Sequence, residues 1–329
     1  MKVFVAGGTG VVGQRLVPRL VAAGHEVVST TRNPKKTETV RQAGAQPVVV
    51  DGLHERAMVE AVSRAEPQVV IHEMTGLAGA NDLRHWDRWF ATTNELRTRG
   101  TDVLIRAAQL GGAQRLIAQS FTGWPNIREG GSVKTENDPL DPSPPAAMRE
   151  SLNAIRYLER AVGAAHGLEG IVLRYGTLYG PATMHDYTVM LRKRKLPIIG
   201  DGAGIWSFVH LDDAAAATVA ALDRGAPDTY NVDDDDPAAE SEWVPCLADL
   251  VGAKPPRRIP VWLARIAAGE VAVSMMTQIR GSSNAKAKRE LGWEPRYRSW
   301  RDGFCEALNQ ASPLGTPLLA PAASEEAAQ

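Results

Sequence analysis

Cysteine is nearly missing from this 329-residue chain: Cys246 and Cys305 stand far apart, and no CxxC occurs. This excludes a disulfide-stapled fold and a thiolate zinc site, and suits a reducing compartment. Long apolar runs are also missing, none reaching the roughly 18 residues of a membrane helix. The chain opens directly on the strand-like Lys2-Val3-Phe4-Val5-Ala6, not on a basic stretch and apolar run, so a soluble, untargeted, cytoplasmic protein is expected. Neither charge sign dominates. With 37 Lys and Arg against 38 Asp and Glu, the net charge is -1, without the positive field that nucleic-acid binding demands. No metal site is expected either: Asp233-Asp234-Asp235-Asp236 lacks the glycine and ligand spacing of a calcium loop and reads as a solvated turn.

What is present is an alternation of short Val/Ile-rich runs with segments of helical period, the pattern of βαβ units feeding a parallel sheet. Strands are predicted at 2–6, 26–30, 47–50, 68–72, 115–119 and 170–174, and helices at 11–23, 34–43, 54–65, 93–110 and 146–166, with Pro18 kinking the first. After Arg174 the alternation breaks into shorter pieces, among them strands at 207–210 and 230–232 and an Ala-rich helix that Asp212 or Asp213 can cap. The expected fold is α/β. A Rossmann-type doubly wound parallel sheet occupies 1–176, a smaller α/β substrate lobe, partly interleaved with that sheet, occupies 177–311, and 312–329 forms a disordered tail.

Directly after the first strand comes Gly7-Gly8-Thr9-Gly10-Val11-Val12-Gly13, then a helix. A turn free of Cβ atoms lets backbone N–H groups approach a pyrophosphate whose charge the helix N-terminus favours. After the second strand, where a carboxylate would hold an NAD ribose, the chain reads Thr31-Arg32-Asn33-Pro34-Lys35-Lys36. Arg32, helped by Lys35 or Lys36, suits the 2′-phosphate of NADP(H), which is therefore favoured over NAD(H). Asp51-Gly52-Leu53 ends the third strand, where a carboxylate can face adenine or cap a helix.

Further along stand Val69-Val70-Ile71-His72, Asn94, Leu173-Arg174-Tyr175-Gly176-Thr177-Leu178-Tyr179-Gly180-Pro181, Gly200-Asp201-Gly202, Phe208-Val209-His210-Leu211-Asp212-Asp213, Tyr230-Asn231-Val232 and Leu291-Gly292-Trp293-Glu294-Pro295. In this order the chain resembles the extended short-chain dehydrogenase/reductases, the family of NAD-dependent epimerases and dehydratases, from Met1 to about Ala307. The resemblance implies cofactor contacts from His72, Asn94, Ser120, Tyr175 and Gly176, a homodimer through the fourth and fifth helices, and a Ser/Thr–Tyr–Lys proton relay. Ser120 falls at the Ser/Thr position, with Thr122 beside it. Met148 and Leu152 fall at the Tyr and Lys positions, and neither moves a proton. No shift of register restores the pair, since none of Tyr157, Tyr175, Tyr179, Tyr187, Tyr230 and Tyr297 has Lys four residues later.

Sugar-nucleotide members carry an Arg after the Gly-Asp-Gly; here Trp206 stands there. With Met74, Trp86, Trp124, Met148 and Leu152 it predicts an apolar or aromatic substrate pocket, or simply a packed seam between lobes. Replacement proton donors are His185 and Tyr187, in the loop from the second lobe, or His72 and Glu73 after the fourth strand. Arg149 and Arg156 flank the vacated pair. Three readings stay open: an NADP(H)-dependent oxidoreductase for a small apolar or aromatic metabolite with a nonstandard proton donor; a sugar-nucleotide epimerase or dehydratase, with Arg280 as phosphate clamp; and a redox-silent sensor, cyclase, lyase or isomerase.

Overall fold

The computed structural model describes residues 1–77 and 83–311; the expected tail at 312–329 lies outside them. The amino-terminal part runs β1 (Lys2–Ala6), α1 (Gly13–Ala22), β2 (Glu26–Thr31), α2 (Thr37–Gln42), β3 (Gln46–Val49), α3 (Glu55–Ala65), β4 (Val69–His72), α4 (Trp86–Glu95), α5 (Thr101–Leu110), β5 (Arg115–Phe121), β6 (Val133–Lys134), α6 (Arg149–Gly163) and β7 (Glu169–Tyr175). There follow β8 (Thr177–Tyr179), α7 (Met184–Arg192), β9 (Ile198–Ile199), β10 (Ile205–Trp206), β11 (Phe208–His210), α8 (Leu211–Ala220), β12 (Thr229–Val232), β13 (Ala238–Ala239), α9 (Glu240–Leu250), β14 (Arg258–Ile259), α10 (Val261–Thr277), β15 (Gly281–Ser282), α11 (Ala285–Leu291) and α12 (Trp300–Ala311).

Seven strands form one parallel sheet in the order β12-β7-β5-β4-β1-β2-β3. The chain winds outward from β1 to β3, returns to β4 and winds the other way, so the crevice above β1 and β4 is the topological switch point where such sheets bind ligands. β1 shows why its sequence is apolar throughout. Val3 and Val5 face one core with Leu16 and Leu20 of α1 and Ala214 and Ala215 of α8, while Phe4 and Ala6 face another with Leu104 of α5 and Leu158 of α6. A strand covered on both faces has no polar side, and each fully buried Val, Leu, Ile or Phe contributes about 1.5–3 kcal/mol.

A third core joins the later elements to α4 and α6, gathering Trp206, Phe208, Trp243 and Trp300 with Trp86, Phe90, Met148 and Leu152. β12 lies beyond the 177 boundary yet pairs with β7 in the main sheet. The predicted helix at 93–110 begins earlier, at Trp86, and passes through a π turn at Leu96–Gly100. The helix predicted at 146–166 starts as the 3₁₀ turn Ala146–Met148 before α6, and α1 runs on through Pro18.

Two local readings need correction. Asp233 and Asp234 are not solvated: they are 0% and 2% exposed, and burial raises the pKa of both, Asp234 to about 9. Nor does Asp212 or Asp213 cap α8. The His210 Nδ1 accepts from the Asp212 N–H as the cap, Asp212 pairs with Arg19 at 2.9 Å, and Asp213 accepts from the backbone N–H groups of Arg296 and Tyr297.

Candidate active site

The glycine loop is shaped as its residues demand. Gly7 has φ +101°, and a Cβ there would lie 2.5 Å from the Glu73 carbonyl oxygen. At Gly13 a Cβ would lie 2.6 Å from the Gly7 carbonyl oxygen, so any side chain would wedge the loop off α1. The Gly10 N–H donates to the Gly7 carbonyl at 3.0 Å, and the Gly7 N–H to Thr30 Oγ1 at 3.1 Å, which ties the turn to β2. No side chain caps α1 and its first turn holds no acid; the Gln14 N–H already donates to the Gly10 carbonyl and the Arg15 N–H to the Val12 carbonyl, both at 2.9 Å, so an anion would meet the positive end of α1 through the N–H groups that precede Gln14.

Beside this cradle, Asn33 caps the 3₁₀ turn Pro34–Lys36 by accepting from the Lys35 N–H, which fixes the basic turn. Arg32, Lys35 and Lys36 are exposed. Asp51 turns back on Leu53, accepting its N–H at 2.9 Å, while the helix cap that Asp51 was a candidate for is made by His54. A dinucleotide fits these groups: cradle and α1 N-terminus would hold its pyrophosphate, and Arg32 its adenosine end.

Around the strand ends, several predicted residues prove to be committed inward. His72 is buried, its Nε2 3.3 Å from the Leu96 carbonyl oxygen and its Nδ1 accepting from the Met74 N–H; burial lowers its pKa to about 4, so it is neutral. Met74 packs against Gly52 and Leu96 rather than with the aromatic residues whose pocket it was expected to share. Tyr175 is fully buried, its hydroxyl 2.9 Å from Glu73 Oε1 and 2.5 Å from Thr218 Oγ1. Burial raises the Glu73 pKa to about 8. Gly176 is packed so closely that a Cβ would sit 2.5 Å from Asp233 Oδ1.

Ser120 donates its hydroxyl to Glu159 Oε1 at 2.7 Å, a carboxylate that also receives Arg174. Thr122, two residues on, exchanges hydrogen bonds with Asn126, whose amide Nδ2 also donates to the carbonyls of Arg280 and Gly281 at 3.4 Å. Thr122 thus links the loop after β5 to the Arg280–Gly281 backbone at the start of β15. That link was missed because Asn126 and Arg280 are 154 residues apart. Arg280 itself is half-buried and, among the described residues, makes no ion pair, and its Nε lacks a partner.

Met148 and Leu152 are 1% and 0% exposed and belong to the same core as Trp86, Phe90, Trp124 and Trp206. Trp86 stacks on Phe90 at 4.4 Å and meets Trp124 edge-on at 5.3 Å, while its indole N–H donates to Ser151 Oγ. Asn94 donates to the same hydroxyl at 3.3 Å. Trp206 lies parallel to Phe208 and edge-on to Trp243 at 5.2 Å. Of the donors sought on α7, His185 is exposed and Tyr187 packs edge-on against Trp243 at 6.0 Å, with burial raising its pKa to about 12. Arg156 is bound to the Asp141 carbonyl and Asn153, and Arg149 is exposed. Met148 and Leu152 thus put only apolar side chains at the two α6 positions where the resemblance expects the proton relay. Among the described residues there is no cluster of three metal-ligating side chains and no helix long and apolar enough to cross a membrane.

Comparison with known proteins agrees with this geometry. Residues 3–233 match the model of the NAD dependent epimerase/dehydratase family. A 3-diazoavenalumate denitrifying reductase of a Streptomyces species is 42% identical over 309 residues, covering 92% of this chain and 99% of the relative. A 4-hydroxy-2-methyl-3-oxo-4-farnesyl-3,4-dihydroquinoline-1-oxide ketoreductase of Stigmatella aurantiaca is 25% identical over 340 residues, covering 96% and 98% of the two chains. Among solved structures, the UDP-glucose 4-epimerase of Thermotoga maritima superposes with TM-score 0.73 at 22% identity, over 94% of this chain and 98% of that one. The chain belongs to the NAD-dependent epimerase/dehydratase family and is a nicotinamide-dependent enzyme of the short-chain oxidoreductase type.

Proposed function

We propose that the protein is an NADPH-dependent reductase that removes a diazo group from a planar aromatic acid, replacing it with hydrogen. The observation that carries this reading is the apolar pair Met148 and Leu152 at the positions of the family's proton relay, in a chain so similar to a denitrifying diazo reductase. Reducing a carbonyl creates an alkoxide that needs a proton; reducing an arenediazonium does not. Aryl–N₂⁺ plus hydride gives aryl–H plus N₂: the C–N bond breaks, the hydride supplies the new C–H bond, and the electrons balance without an acid. The bound nicotinamide supplies that hydride.

The protein's part is then binding and exclusion of water. Trp86, Trp124 and Trp206 are buried and packed on one another, so they form the apolar core that backs the site rather than open surface for a ring. Arg280, half-buried and without an ion-pair partner among the described residues, is the cation for the acid group, and the Thr122–Asn126 pair ties its backbone to the loop after β5. Arg32 with Lys35 and Lys36 favours the 2′-phosphate of NADPH. A protein of this kind acts as a soluble enzyme, and a homodimer through the helices expected at 93–110 and 146–166, which are α4 and α5 together and α6, remains part of the proposal.

The test is anaerobic turnover of purified protein with NADPH and a diazotised aminocinnamate or aminobenzoate, following absorbance at 340 nm and N₂ release against an enzyme-free control. Equimolar NADPH loss, N₂ and deaminated acid are expected. Turnover of UDP- or TDP-sugars with no reaction on diazo acids would overturn the reading.

A further inference from the structure

Arg97 is only 3% exposed and stands on the π turn between α4 and α5, where that turn packs against α6. Such turns interrupt helices most often at functional sites. Its guanidinium lies over the Phe90 ring, 5.8 Å from the centroid, and Phe90 shares a core with Met148 and Leu152. Its chain neighbour Leu96 lies with its carbonyl oxygen 3.3 Å from Nε2 of His72, the last residue of β4, which pairs with Ala6 immediately before the glycine cradle. Arg97 therefore stands between the cradle and the α6 face from which a basic residue is missing.

Its charge is not balanced there. Glu159 attracts Arg97, but that carboxylate already receives Arg174 at 2.8 and 2.6 Å and Ser120 at 2.7 Å. Two buried cations share one anion, and Nη1 of Arg97 is buried without a hydrogen-bond partner. Burial accordingly lowers its pKa to about 10, still charged at neutral pH. A buried, underpaired guanidinium is a cost to the empty fold that an oxygen-rich ligand would relieve.

We propose that Arg97 is a cofactor-binding residue, its free Nη1 donating to oxygen atoms of the dinucleotide that occupies the Gly7–Gly13 cradle. The test compares wild type, Arg97→Met and Arg97→Lys by two measurements that need no substrate: the Kd for NADPH from quenching of tryptophan fluorescence, and the melting temperature of the cofactor-free protein. Arg97→Met is expected to weaken NADPH binding at least tenfold while melting no lower than wild type, because it removes an uncompensated charge. Arg97→Lys, which keeps the charge but not the fork, is expected to fall between the two in affinity. NADPH affinity within twofold of wild type in Arg97→Met overturns the proposal, even if diazo turnover changes. A lower melting temperature with unchanged affinity assigns Arg97 to the fold alone. If Arg97→Met does not fold, Arg97→Lys decides, and wild-type affinity in it again overturns the proposal. Because no diazo compound enters the measurement, its failure leaves the proposed reaction standing, and the converse also holds.

Discussion

Ser120 gives its hydroxyl hydrogen to Glu159 at 2.7 Å, so the residue at the family's Ser/Thr position is spent on a buried ion pair rather than on a substrate oxygen. Thr122 instead is linked through Asn126 to the backbone of Arg280 and Gly281. Ser120→Ala leaves the Arg174–Glu159 fork in place and is expected to cost about 1 kcal/mol of stability, with kcat changed less than about threefold. Thr122→Val breaks the link through Asn126 to the backbone of Arg280 and is expected to raise KM for the acid about tenfold at similar stability. Urea unfolding and steady-state kinetics on both variants check this. The assignment fails if Ser120→Ala is the catalytically damaged one.

The glycine cradle sets a steric limit. Gly7→Ala puts a methyl group 2.5 Å from the Glu73 carbonyl oxygen and asks alanine for φ +101°. The loop must move, and it is the loop proposed to hold the cofactor. The expected outcome is at least a tenfold loss of NADPH affinity, read by fluorescence titration, with melting lowered by several degrees. Gly24→Ala, also at positive φ but with nothing within 4 Å of its Cβ, serves as the control for backbone strain without collision and is expected to bind NADPH normally.

Buried carboxyl groups make stability depend on pH. Tyr175 donates its hydroxyl hydrogen to Glu73 Oε1 at 2.9 Å and stands 2.5 Å from Thr218 Oγ1, which itself donates to the Ala214 carbonyl at 2.9 Å. Glu73 has its pKa raised to about 8, Glu240 to about 8 and Asp234 to about 9, in each case chiefly by desolvation. A carboxyl held protonated in the fold but ionised when unfolded contributes fully below its unfolded pKa near 4, and that contribution is lost as pH rises through the folded value. Melting temperature is therefore expected to fall from pH 6 to pH 9. Glu73→Gln, neutral at every pH and still able to accept from Tyr175 through its amide oxygen, is expected to flatten part of that slope. An unchanged slope in Glu73→Gln would show that Glu73 is ionised in the fold.

The parallel sheet and the cradle were legible in the sequence because each is a local pattern: β1 is apolar on both faces, and Gly7 through Gly13 is one contiguous loop between strand and helix. What was not legible depends on partners distant in the chain. Nothing near Asp233 announces burial, since β12 carries it against Gly176 at the end of β7. His72 and Tyr175 carry the right chemistry at the right strand ends, yet side-chain direction turns them into the cores below. Arg97 reads as one more surface base in Leu96-Arg97-Thr98-Arg99, and only the π turn distinguishes it from exposed Arg99.

Cofactor preference rests on a different kind of contact, at the surface. Arg32 is exposed and forms no ion pair, so removing it leaves no buried partner behind and should not disturb folding. Arg32→Ala is expected to raise KM for NADPH about tenfold or more while leaving KM for NADH within about twofold, because a guanidinium facing a 2′-phosphate has no counterpart on a 2′-hydroxyl. Raising the ionic strength should narrow the difference in the wild type and have little effect in the variant, since an exposed ion pair is screened by salt. Equal losses with both cofactors would instead place Arg32 on the adenine or ribose ring common to the two. Wild-type KM values for both would move the preference to Lys35 and Lys36, which the double variant Lys35→Ala/Lys36→Ala tests in the same assay.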